Sequence, residues 1–144
     1  MGEPAREQAS VWWAEARKDR REAQAALERD AYNLSAFLCE QAAQKALKAL
    51  LRALSRNAWG HELHKLVEAA FERLGDRMPA QMEEIARSLG RHYTGARYPG
   101  VLSEQAPSDF YTREMAQEAL EQCDQIMNFA RERLQKLSPD LDLG

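Results

Sequence analysis

The stretch Ala36-Phe37-Leu38-Cys39-Glu40-Gln41-Ala42-Ala43-Gln44-Lys45-Ala46-Leu47-Lys48-Ala49-Leu50-Leu51 decides the fold. It contains neither glycine nor proline and is built largely from Ala and Leu, the residues that lose least on entering a helix. With Leu34 before it and Leu54 after it, the apolar positions recur every three or four residues, the period of a helix face. The many alanines let neighbouring helices approach closely, so this is expected to be a long central helix following Asp30, a candidate N-cap.

The rest of the chain reads outward from that helix. Prolines stand only at 4, 79, 99, 107 and 139, so no ring interrupts a helix between Ala5 and Met78. A first helix is predicted from about Arg6 to Glu28, with Ala9, Trp12, Trp13, Ala16, Ala23 and Leu27 near one face. Asn57 to Gly60 read as a turn. Leu63, Leu66, Val67, Ala70, Phe71 and Leu74 mark a third helix stopped by Gly75. Pro79 opens a fourth, with Met82, Ile85, Ala86 and Leu89 on its apolar side, weakened at Gly90 and Gly95 and ended by Pro99-Gly100. A loop from about Tyr98 to Phe110 leads to the last helix, capped by Ser108 or Thr112 and running to Leu137. Sustained two-residue alternation is lacking, so no sheet is expected. The fold class is all-α, an up-and-down four-helix bundle with a short extra helix. It forms a single domain over residues 1–144, with a core of about 6–137 and frayed ends at Met1–Glu3 and about Asp140–Gly144.

Composition bounds the function. The 144 residues carry 20 basic and 23 acidic side chains, a formal charge of −3, which excludes a generally basic nucleic-acid coat but not a local basic patch. Cys39 and Cys123 make no metal-ligand spacing and lie in apolar helical patterns, as reduced core residues of a cytoplasmic protein would. Uninterrupted apolar runs stay far short of a membrane span or a signal peptide, so no membrane association is expected.

The candidate chemistry concentrates in three places. His61 and His64 stand three apart at the start of the third helix, but further metal ligands at suitable spacing are lacking, so no metal and no cofactor are expected. Two pairs share the form Arg-x4-His, Arg56 with His61 and Arg87 with His92. In such a pair histidine can move protons and arginine can stabilise the charge of a phosphorane, as a metal-independent ribonuclease requires. Arg91 is an alternative partner for His92. From Ala86 to Leu102 no acidic residue occurs, while Arg87, Arg91 and Arg97 lie beside His92, Tyr93 and Tyr98. This island of positive charge with aromatic rings suits phosphates of a nucleotide or RNA, or an acidic protein partner. The row Lys45, Lys48, Arg52 and Arg56 reads as a solvated stripe or a second acidic-partner surface. Of the adjacent Trp12 and Trp13, which point about 100° apart on a helix, one is expected in the core and the other is a candidate partner-facing anchor.

The central string resembles the hallmark helix of prokaryotic HEPN-domain proteins, an aromatic followed by Gln-Ala-Ala-Glu-Lys-Ala-Leu-Lys-Ala, with Gln44 standing in place of the Glu. Trp12 with Ala16 and Asp19 is similar to that family's first helix. Gly60-His61-Glu62-Leu63 is similar to its Thr-His-Asp-Leu, Tyr93-Thr94-Gly95-Ala96-Arg97-Tyr98-Pro99 to the Tyr-x-x-x-Arg-Tyr-Pro segment of one branch, and Phe110-Tyr111-Thr112 to the start of its last helix. The resemblance implies a homodimeric helical bundle, encoded beside a minimal nucleotidyltransferase in modules of toxin-antitoxin type. It also implies, for active members, an Arg-x4–6-His ribonuclease site that the partner silences by adenylylating a tyrosine two residues beyond the histidine. Here Tyr93 follows His92 directly, and His92 stands where this branch often has tyrosine. Those departures imply a non-catalytic subunit that presents Tyr93, Arg97 and Tyr98 to nucleotide or partner. A ribonuclease toxin using Arg87 or Arg91 with His92, and a purely structural helical adaptor, are the alternatives.

Overall fold

The computed structural model describes every residue except Ala58, which lies inside the turn expected at Asn57–Gly60. Among the described residues the order is α1 (Glu3–Glu28), α2 (Tyr32–Ala53), α3 (Leu63–Leu74), α4 (Ala80–Gly90), the single turns α5 (His92–Gly95) and α6 (Pro107–Phe110), and α7 (Arg113–Leu137). No strand occurs among them, and no helix is long and apolar enough to cross a membrane. α1 and α2 form an antiparallel hairpin. α7 packs along α2 and also touches α1, and α3 and α4 close the bundle.

α2 is the axis. Ala36, Ala42, Ala43, Ala46, Ala49, Leu47 and Leu50 are all fully buried, so small residues set the helix spacing while leucines fill the space between. Each fully buried leucine is worth about 1.5–3 kcal/mol relative to exposure. Ser35 donates from its hydroxyl to the Ala23 carbonyl at 2.8 Å. Lys45 reaches Asp19 at 2.6 Å, and Arg20 forks onto both Asp124 oxygens at 2.7 and 3.0 Å, tying α1 to α2 and to α7.

Helix ends depart from expectation at α1. Asp30 does not cap α2; it closes α1 in the left-handed region (φ 63°), with Ala31 N–H on the Ala26 carbonyl and Asp30 N–H on the Leu27 carbonyl. That Schellman geometry leaves the Asp30 carboxylate free to accept from Arg113 and Tyr32 at 2.6 and 3.0 Å. Ser55 closes α2 in the same way and Gly75 closes α3. Thr112 caps α7, its hydroxyl accepting from Met115 N–H at 3.2 Å, and Ser108 does not.

Two further expectations are corrected. The tail is docked rather than frayed: Leu143 is buried, its carbonyl accepts from Trp13 Nε1 at 2.8 Å, and Asp140 pairs with Arg6 at 2.9 Å. The basic row on α2 is not a solvated stripe, because Lys45 engages Asp19 and Lys48 lies over the Trp12 ring at 5.3 Å. Trp13 is the core tryptophan, and Trp12 is half-buried beneath that lysine instead of standing free as an anchor. Cys39 and Cys123 are free thiols inside the core.

Candidate functional site

A cleft of about 340 Å³ opens where the start of α3 meets the end of α4, lined by His61, Glu62, His64, Arg87, Arg91 and Tyr93 among others. Leu63, fully buried, anchors the first turn of α3 and thereby sets His61 and His64 on the cleft wall. Glu62, the N-cap of α3, makes no side-chain cap; its carbonyl accepts from the Lys65 and Leu66 amides at 3.1 Å each, so the His64 amide and the positive end of the helix dipole are what the first turn offers an anion there. Arg87 is held in place by Glu83 four residues earlier, at 3.2 Å. Glu62 is likewise occupied by Lys65 at 3.1 Å, whose ammonium holds its carboxyl below the usual range. Arg91 makes no ion pair among the described residues. The cleft therefore collects two guanidiniums, two imidazoles and a helix N-terminus against one carboxylate that is already engaged.

Aromatic stacking runs out of this cleft. The His61 ring lies on Tyr93 with centroids 4.3 Å apart and planes 8° from parallel. Arg97 donates from Nε to the Tyr93 carbonyl at 2.6 Å, and its guanidinium carbon sits 4.6 Å from the Tyr93 ring, 4.9 Å from Phe37 and 5.1 Å from Tyr98. His61, Tyr93, Arg97 and Tyr98 thus form one row, with Tyr98 52% exposed at its end.

Beneath the row lies a group that the sequence reading missed. Glu40 is fully buried, accepting from Gln44 Nε2 at 2.6 Å and from Gln41 Nε2 at 2.8 Å. Burial pushes its carboxyl up to about 7 against the opposing pull of those amides and of the Arg97 and Lys48 charges. Gln44 also donates to the His61 carbonyl at 3.0 Å. The amide at this position can serve both acceptors, whereas an ionised glutamate in its place would face Glu40 with like charge and donate to neither. Glu40 was legible in principle, since Ala36, Ala43 and Leu47 share its helix stripe.

The Arg-x4-His pairs are not brought together. His92 is 1% exposed, with Nδ1 2.6 Å from the Tyr111 hydroxyl. Burial, helped by the Arg91 charge, pulls its imidazole down to about 4, and burial pushes the Tyr111 phenol up to about 12. Both partners are neutral around pH 7, and His92 does not line the cleft that holds Arg87 and Arg91. Arg56 lines a separate cleft of about 230 Å³ with Arg52, near the start of α1, away from His61. The histidines that accompany Arg87 and Arg91 are His61 and His64.

The family model of the HEPN domain matches residues 9–134. The chain belongs to the HEPN family. Among solved structures, this HEPN chain is similar to TT1696 from Thermus thermophilus, with 33% identity and a TM-score of 0.81 over 88% of this chain and 98% of that one. ST0689, an archaeal HEPN homologue, matches over the same shares with 31% identity and a TM-score of 0.75. A HEPN domain protein from Thermotoga maritima, at 24% identity and a TM-score of 0.70, shares the fold. No functionally curated protein matches the chain.

Proposed function

We propose that this HEPN chain is a non-catalytic binding subunit that takes the phosphate of a nucleotide or RNA in the α3/α4 cleft. It works as a homodimer beside a minimal nucleotidyltransferase in a toxin-antitoxin type module. The observation that carries the binding reading is the gathering of Arg87, Arg91, His61, His64 and the uncapped α3 N-terminus around one cleft. Guanidinium forks and the positive end of the α3 dipole match a phosphate's several acceptor oxygens. The non-catalytic part rests on His92, whose ring is buried against Tyr111 and out of reach of a phosphodiester. Partnership with a nucleotidyltransferase rests on the family resemblance of the Tyr93–Pro99 segment. The row ending in Tyr98 would offer a base or a partner side chain a stacking surface beside the phosphate.

Equilibrium titration with ATP and with short single-stranded RNA tests this reading. Arg87→Ala/Arg91→Ala should weaken binding tenfold or more while the melting temperature changes little, because both side chains are exposed. Unaltered affinity in that variant would reject the cleft.

One observation favours a second reading, a metal-independent ribonuclease. His61 and His64 share the cleft with both arginines, so one imidazole is placed to accept a proton and the other to donate one. RNA cleavage in EDTA that disappears in His61→Ala would establish it. Intact RNA after prolonged incubation with folded protein leaves the binding reading standing.

A further inference from the structure

The segment that joins α2 to α3 is exposed, and a single hydrogen bond ties its main chain to the bundle. Among the described residues, the Gln44 amide on the His61 carbonyl at 3.0 Å is the one bond made to the main chain between Asn57 and His61. That bond sets the His61 ring, which lies on Tyr93 and lines the α3/α4 cleft. The same Gln44 Nε2 donates to one oxygen of Glu40 at 2.6 Å, and Gln41 donates to the other at 2.8 Å.

Glu40 is fully buried and makes no ion pair among the described residues. The cations that act on it are Lys48, two turns on along α2, and Arg97, which follows α5. From the segment before α3, His61 meets it through Gln44. Burial raises this carboxyl to about 7, so it exchanges its proton in the neutral range. A buried carboxyl held by amides instead of a cation is costly to the fold once ionised, and groups so placed cluster at functional sites.

We propose that Gln44 and Glu40 are positioning residues of the α3/α4 cleft: Gln44 fixes His61 against Tyr93, and Glu40, behind it, takes up a proton when an anion binds. The role rests on anion binding in that cleft, as proposed above. Ionised, Glu40 places a negative charge two hydrogen bonds from the His61 ring's own residue, where it repels an incoming anion; protonated, it does not. Through part-buried protein such a charge changes affinity by about fivefold. Linkage is reciprocal, so a bound anion makes the Glu40 proton harder to remove by the same factor. Charge on His61 and His64 also favours an anion, so the share of Glu40 has to be read at Glu40 itself.

Sulfate is the probe, because it stays doubly charged across the neutral range. The Glu40 side-chain carboxyl carbon is followed by NMR through a pH titration, with and without saturating sulfate, at equal ionic strength made up with chloride. Its midpoint should rise by about 0.7 pH unit with sulfate, the fivefold factor on a logarithmic scale. From the acid to the alkaline side of that midpoint, wild type should lose about fivefold more sulfate affinity than Glu40→Gln, the histidine contribution being common to both. Gln44→Met, which keeps the bulk but not the donor, should release His61. Its ring signals then lose the displacement imposed by the Tyr93 ring, and sulfate affinity falls several-fold at every pH. A Glu40 midpoint unmoved by sulfate that binds, or unaltered His61 signals and affinity in Gln44→Met, would overturn the proposal with the cleft reading intact. Sulfate that moves neither His61 nor His64 in wild type would reject the cleft reading, and this role with it.

Discussion

Replacing Glu40 by Gln should change stability in opposite directions at the two ends of the accessible pH range. The carboxyl ordinarily ionises near 4.5, and in the fold burial raises it to about 7. Between those values the folded chain holds a proton that the unfolded chain has lost, so stability falls as pH rises through the window. Above the window the full cost is about 3 kcal/mol. Gln removes that cost, but it presents an amide N–H₂ where one carboxylate oxygen accepts from Gln44 or Gln41. Losing one such bond costs about 1 kcal/mol. Glu40→Gln should therefore be about 2 kcal/mol more stable than wild type near pH 8, roughly 6 °C in Tm for a domain this size, and about 1 kcal/mol less stable near pH 4.5. His92 contributes the opposite slope. Its imidazole is pulled from 6.5 to about 4, so its stability is fully present above 6.5 and is lost as pH falls toward 4. In wild type the two slopes offset each other over the overlap of the windows, and in Glu40→Gln the His92 slope stands uncovered. Calorimetric melting of both proteins across this range reads the difference directly. A Tm difference that stays constant with pH would refute the assignment of Glu40 as a buried carboxyl that ionises near neutrality.

Other perturbations probe the packing. Gly95→Ala would bring a Cβ to 2.6 Å from Leu102 Cγ, an overlap that should cost about 1–3 kcal/mol in urea unfolding. Leu143→Ala should cost about 2–4 kcal/mol if the tail is docked as described; a change below a few tenths of a kcal/mol would mean the tail does not pack. Cys39 and Cys123 should resist thiol reagents in the folded protein and react fully in denaturant, because both are buried, and the hydrogen bond with Cys39 together with burial pushes the Cys123 thiol well up.

The fold was legible where short-range rules act without competition. The unbroken Ala/Leu period of α2, Gly75 in the left-handed region after α3, Pro79 before α4 and Thr112 before α7 all stand where local chemistry puts them. Asp30 was misread because Asp is favoured both as an N-cap and in the left-handed region, and the short α1–α2 connection demands the second. The tail was misread because its order comes from Trp13, Arg6 and Arg131, partners more than a hundred residues distant for the first two. The site divides in the same way. Arg87, Arg91 and Tyr93 were visible as a charge and aromatic cluster in one segment. That His61 and His64, rather than His92, face those arginines depends on how the aperiodic segment after α2 returns to α4, which no local pattern encodes. The buried His92 is distinguishable from an exposed one only through Tyr111 on the far side of the loop.

The most direct test of the binding reading is an NMR titration of the histidine ring signals with a nucleoside monophosphate. Saturable movement of His61 and His64 is expected, weakened at least tenfold in Arg87→Ala/Arg91→Ala, while His92 stays still. Movement confined to His92, or none at His61 and His64 in well-folded protein, would contradict it.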